Sequence, residues 1–198
     1  METLEKRKTR RPARIYQPII PRFKSLDAFL EWSPEGDYKY EWIDGRIEPT
    51  ERMKRNERYS VNNLIHRFLD TEAFKQGGML AAEGDMYLTE TNYRRPDAAY
   101  FTRDQIRAGA ENTDVSAASF VIELISPTDR EAYLARKITD YFAAGVQVLW
   151  YVYPNRQQVF VYRSPQDILP CTRPDDLCSA APALPDFAVT VEELFRLP

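Results

Sequence analysis

Apolar positions in this chain switch between strict alternation and helical spacing, and the switches mark its elements. Val61, Leu64, Ile65, Phe68 and Leu69 recur at helical spacing and predict one helix from Asn56 to about Lys75, ended by Gly77-Gly78. Leu134, Ile138, Tyr141 and Phe142 form the inward stripe of another, from about Asp129 to Ala144, which Gly145 terminates. Ser25 can cap a short helix from Leu26 to Trp32. Tyr38 to Ile43, then Asp44-Gly45, then Arg46 to Glu48 reads as a hairpin, because Asp-Gly suits a tight type I′ turn.

Further strands are predicted at Met79 to Ala82, Asp85 to Thr89, Pro96 to Phe101, Phe120 to Ile125, Val148 to Tyr153 and Gln158 to Tyr162. Pro154-Asn155 joins the last two as a hairpin. Thr102 to Ala118 reads as polar and irregular, with one helical turn near Arg103 to Arg107. The tail offers a short strand at Phe187 to Val189 and a last helical turn at Val191 to Phe195. No repeat and no second domain stand out. The order predicts an α/β fold, a mixed central sheet flanked by helices. Residues 1–21, punctuated by Pro12, Pro18 and Pro21, read as a flexible arm, and residues 22–198 as one domain.

Composition narrows the class. A chain of 198 residues, 43% hydrophobic and 13% aromatic, can bury a substantial core. No apolar run approaches the ~20 residues of a membrane-spanning helix, and no apolar stretch follows the basic start, so a cytoplasmic protein without membrane contact is expected. Cys171 and Cys178 lack the spacing of a zinc knuckle and read as free thiols. His66 is the single histidine, which rules out a multi-histidine metal site within one chain.

A net charge of −3 and a pI near 5.4 do not suit a chain that coats nucleic acid by bulk charge. Yet Lys6, Arg7, Lys8, Arg10, Arg11 and Arg14 make a basic arm, and Lys54, Arg55 and Arg58 a second cluster. Both are candidates for nucleic-acid contact, against the plainer reading of a solvated tail and surface.

Three charges sit where apolar residues are expected. Asp97 follows Pro96 at the head of a β-like run. Glu123 interrupts Phe120-Val121-Ile122-Glu123-Leu124-Ile125, a run of the kind covered on both faces. Lys137 lies at the edge of the inward stripe of its helix, one turn from Tyr133 and from Tyr141. A buried carboxylate needs a proton, a cation or a metal, so converging acids with an ammonium make a hard-metal site with a charge stabiliser beside it. The plainer alternatives are a strand-entry Asp97, an ion-paired Glu123 and a Lys137 that snorkels past Tyr141 to solvent. Glu41, a lone acid between aromatics, reads equally as a site residue and as a solvent-facing hairpin residue.

Tyr40-Glu41-Trp42-Ile43-Asp44-Gly45, His66 in a helix, Arg95-Pro96-Asp97, Ile122-Glu123-Leu124-Ile125-Ser126-Pro127, then Lys137 and Tyr141-Phe142-Ala143-Ala144-Gly145-Val146 follow one another in a pattern that resembles the Uma2 family. The resemblance runs from about Ser25 to Phe195 and includes the closing Leu184-Pro185-Asp186-Phe187. It implies the restriction-endonuclease-like, or PD-(D/E)xK, fold and a metal-dependent nuclease acting on nucleic acid, DNA foremost. Asp97 matches the first acid, Glu123 the second, and both are implied ligands of Mg²⁺ or Mn²⁺. Ile125 occupies the usual lysine position, which implies that the lysine role has moved to Lys137. Glu41 matches an N-terminal acid, a candidate outer metal ligand, and Tyr141 and His66 are auxiliary candidates. No role follows for His66, whose plainer reading is a packed helix residue. The rival to an enzyme is a catalytically silent nucleic-acid-binding or interaction module of the same fold. A homodimer would suit double-strand cleavage by two sites, though nothing in the chain demands it.

Overall fold

A computed structural model describes residues 20–34, 36, 38–111 and 117–196, apart from the side chain of Asn56. The basic arm falls almost wholly outside the described residues. After a short helix α1 (Leu26–Leu30), capped by Ser25, come strands β1 (Tyr38–Ile43) and β2 (Arg46–Glu51). They pair with Ile43 opposite Arg46, which leaves Asp44-Gly45 as a two-residue loop. Both loop residues have positive φ, 50° and 75°, as a type I′ turn requires.

Helix α2 (Arg55–Phe68) follows, and the glutamate Glu57 accepts from the Lys54 backbone N–H at its start. The single helix predicted as far as Lys75 is two helices. Thr71 caps a separate α3 (Glu72–Lys75) by accepting from the Phe74 N–H, and its own hydroxyl donates to the Phe68 carbonyl. Leu69, one of the apolar residues at helical spacing, is exposed at the break.

Next come β3 (Met79–Ala82), β4 (Met86–Thr89), β5 (Asn92–Arg94) and β6 (Ala98–Phe101). Helix α4 (Arg103–Glu111) replaces the single turn predicted there, with Thr102 and Gln105 exchanging backbone and side-chain hydrogen bonds at its start. That is a capping box, which the polar composition hid. The remainder is β7 (Phe120–Leu124), α5 (Glu131–Ala143), β8 (Val148–Tyr153), β9 (Gln158–Tyr162), β10 (Ile168–Cys171), β11 (Leu177–Ser179), β12 (Ala188–Thr190) and α6 (Val191–Phe195).

The strands form a six-stranded sheet in the order β10-β9-β8-β7-β6-β3, a four-stranded sheet β2-β1-β5-β4 and a small β11-β12 pair. Strands β7 and β8 are parallel and are joined by α5; the other pairs in the large sheet are antiparallel, so the sheet is mixed. The α/β expectation therefore holds, with a second sheet added.

Strand β7 separates two cores because successive side chains face opposite ways. Phe120 and Ile122 join Val61, Leu64 and Phe68 of α2 and Leu194 of α6. Val121 and Ile125 join Tyr141 and the partly buried Leu134 and Ile138 of α5. A third cluster packs Phe29 of α1 on Tyr40, Trp42 and Tyr93 of the small sheet. Cys171 and Cys178 are free, buried thiols. Among the described residues, no helix is long and apolar enough to cross a membrane.

Candidate active site

Asp97, Glu123 and Lys137 converge. Asp97 sits just before β6, Glu123 lies in the neighbouring strand β7, and Lys137 reaches in from α5, all three beside one cleft of about 520 Å³. Lys137 Nζ lies 2.7 Å from Glu123 Oε1, and Tyr141, one turn further along α5, donates its hydroxyl proton to the same oxygen. Lys137 thus stays inside and does not snorkel to solvent. Asp97 accepts from the Leu124 N–H at 2.7 Å through Oδ2, which ties the head of β6 to the end of β7.

Strand β1 contributes two further charges. Its aromatic residues Tyr40 and Trp42 pack with α1, so Lys39 and Glu41 point together to the opposite side. Lys39 Nζ lies 2.7 Å from Asp97 Oδ1. Glu41, fully buried, is surrounded: Arg94 at 2.7 Å and the Tyr133 hydroxyl at 3.1 Å on Oε2, the Arg95 N–H at 3.1 Å and Lys137 Nζ at 3.4 Å on Oε1. The solvent-facing reading of Glu41 is therefore overturned. Glu41 is absent from the cleft lining and stands behind Lys137.

Arg94 is the hub of this inner layer. Its guanidinium is buried, spans Glu41 and Asp140, and lies 5.9 and 5.8 Å from the ring centres of Tyr133 and Tyr141. Arg136 then pairs with Glu48 at the margin. Burial pushes the Glu41 carboxyl up, but Lys137 and Arg94 outweigh it and hold the pKa at about 2. Burial likewise disfavours the charged Lys137, yet Glu123 and Glu41 raise its pKa above the ordinary lysine value. Lys39 is raised too, with Asp97 the main counterweight to burial. Desolvation, aided by Glu123, lifts Tyr141 well above the usual phenol range, so it remains a donor.

Lys39, Asp97, Glu123 and Lys137 are each 5% exposed or less, yet all four line the cleft. Arg52 and Lys54 flank it on one side, Ser126, Asp129 and Arg130 on the other. Of the second basic cluster, Lys54 thus reaches the cleft, while Arg55 and Arg58 are exposed on α2. His66 is exposed on the same helix and does not line the cleft, against the reading of a packed residue. Lys39 and Arg94 escaped sequence reasoning. Parity would have found Lys39, which shares its strand face with Glu41.

Among the described residues no three His, Cys, Asp or Glu side chains gather as a metal cluster. The donor set nonetheless fits a hard cation that keeps several waters: two carboxylates meet at the cleft, and Glu123 Oε2 accepts no hydrogen bond among the described residues.

Residues 26–192, which include every cleft residue named above, match the model of the Uma2 family, described as "Putative restriction endonuclease". The crystal structure of a "putative nuclease belonging to DUF820" from Anabaena variabilis ATCC 29413 has the same fold, with a TM-score of 0.72 and 21% identity over 90% of this chain and 98% of that one. No curated protein matches the chain. The family description supports a nuclease-like role. With five-sixths of its length matched and its acids gathered at one cleft, this chain belongs to the Uma2 family.

Proposed function

We propose that the chain is a divalent-metal-dependent endonuclease that hydrolyses phosphodiester bonds of nucleic acid, with DNA as the substrate. The observation that carries this reading is the meeting of Asp97, at the head of β6, and Glu123, in the paired strand β7, with Lys137 beside one cleft. Asp97 and Glu123 would hold Mg²⁺ or Mn²⁺, as oxygen ligands suit hard cations. A bound cation of this kind lowers the pKa of a water and offsets charge building on the phosphate.

The protein groups have separable tasks. Tyr141 fixes the Glu123 carboxylate from behind, and the Leu124 N–H fixes Asp97. Lys137 presents a compact positive charge to the attacking water or to the phosphoryl oxygens. Glu41 and Arg94 hold Lys137 and the base of α5 in register; the fully occupied oxygens of Glu41 favour this anchoring over ligation. Lys54 and Arg52 supply charge along the approach.

One observation favours a second reading. Lys39 and Lys137 already neutralise the two acids, so a silent nucleic-acid-binding module could keep this cluster without a metal. Cleavage of supercoiled plasmid and of single-stranded DNA in Mg²⁺, Mn²⁺ or EDTA, beside Asp97→Ala, separates the two. Metal-dependent cleavage that disappears in the variant supports the nuclease. Retention of DNA without cleavage in any metal supports the silent module, and equal cleavage by both proteins sinks the site assignment.

A further inference from the structure

The three buried acids Glu41, Asp97 and Glu123 are matched by three buried cations, Arg94, Lys39 and Lys137. Asp140 shares Arg94 and Asp129 lines the cleft, but a dication bound at Asp97 and Glu123 would still stand beside the ammonium groups of Lys39 and Lys137, which already pair with those two acids. Displacing one of these cations relieves that crowding.

The three are not held equally. Arg94 spans Glu41 and Asp140 and lies against two tyrosine rings. Lys137 bridges Glu123 and Glu41. Lys39 has one carboxylate partner among the described residues, Asp97, and it lines the cleft. Its grip also competes with a ligand: Asp97 Oδ1 accepts from Lys39 and Oδ2 from the Leu124 N–H, so a cation at Oδ1 meets the ammonium there. On the other acid, Glu123 Oε2 accepts no hydrogen bond among the described residues.

We infer that Lys39 is a displaceable placeholder for the divalent cation at Asp97. It neutralises the carboxylate in the cation-free protein and leaves Oδ1 when the cation binds. Its ammonium then turns into the cleft, where it faces the entering phosphodiester as a second positive charge beside Lys137. Lys39 thus acts on the cation through Asp97 and on the phosphodiester through its own charge. The inference rests on the reading of the cleft as a divalent-cation site.

The test follows the lysine ammonium groups of the full chain by ¹⁵N NMR during a Mg²⁺ titration without nucleic acid, with Lys39→Met used to assign the Lys39 signal. As the site fills, the Lys39 signal is expected to shift and its protons to exchange faster with water, while the Lys137 signal remains protected. In calorimetry, Lys39→Met is expected to bind Mg²⁺ about tenfold more tightly, since a like charge beside the ligand is gone, and Lys39→Arg is expected to restore the weaker affinity. Mg²⁺ binding with an unmoved Lys39 signal would overturn this inference and leave the nuclease reading intact. No binding of Mg²⁺ or Mn²⁺ would overturn both. Where Lys39→Met does not fold, Lys39→Arg supplies the assignment, because it too removes the Lys39 signal while keeping the charge, and the wild-type titration then decides the matter.

Discussion

Lys137 Nζ meets Glu123 Oε1 at 2.7 Å across the gap between α5 and β7, on the strand face that Glu123 shares with Val121 and Ile125. The ammonium thus comes from the helix, and Ile125 keeps its place in the core. Lys137→Met is expected to lower metal-dependent cleavage by about 10²-fold, the usual loss when a preorganised charge is removed. It should also destabilise the fold by about 3 kcal/mol, because Glu123 and Glu41 lose a buried partner. Single-turnover kinetics and denaturant unfolding read the two effects separately, and an unchanged rate would remove Lys137 from the chemistry.

Arg94 offers a double-mutant cycle. Arg94→Met alone leaves Glu41 buried without its nearest cation and is expected to cost about 3–5 kcal/mol. Glu41→Gln with Arg94→Met should cost clearly less than the sum of the single changes, because the two groups share one network. Additive losses in urea melts would mean that the pair is not coupled.

Acid should loosen the same network. Lys137 and Arg94 hold the Glu41 carboxyl down at about 2 in the folded protein, against an ordinary value of 4.5. Its folded pKa is depressed, so its contribution is fully present above pH ~4.5 and is lost as pH falls toward 2, a change of about 3 kcal/mol. The groups around it are Arg94 and the Arg95 N–H, Lys137 and Tyr133 of α5, and Lys39 of its own strand. Glu41→Gln is expected to flatten this acid limb in a series of thermal melts. An unaltered limb would point to other carboxylates.

Lys54 borders the cleft, whereas His66 lies exposed away from it. Lys54→Ala is expected to weaken DNA binding and to reduce the slope of log affinity against log salt by about one. His66→Ala should leave both unchanged. Fluorescence anisotropy at several salt concentrations checks this, and equal effects of the two changes would move the DNA path off the cleft.

Much of the site was legible because charge in an apolar run is conspicuous. Glu123 breaks a continuous strand, Lys137 borders a helical stripe and Tyr141 follows it at one turn. Lys39 was not, since a lysine alternating with tyrosines in a hairpin reads as the wet side of a half-exposed strand. Here both faces of β1 are covered, one by α1 and the other by the charged layer. Arg94 was hidden in Tyr93-Arg94-Arg95-Pro96, where a proline obscures a three-residue strand. The short strands β10 and β11 were missed for a related reason, as Pro170 breaks the first pattern and polar neighbours bound the second. Strands β7 and β8 followed from their apolar runs and α5 from its stripe, where many residues agree. The break at Thr71 did not, because a cap involves only one residue.

Arg94 ends a strand of the small sheet and Asp97 precedes one of the large sheet, with only Arg95 and Pro96 between them. Proline fixes its own φ and narrows the choices of the residue before it, so this link is a ruler of set length. One graduation mark is the Arg94–Glu41 pair and the other the Asp97–Lys39 pair. A single glycine inserted after Pro96 could leave every ladder of both sheets in place and still shift one mark against the other. This makes the connector, although it lies outside every strand, a stretch whose length the site itself depends on.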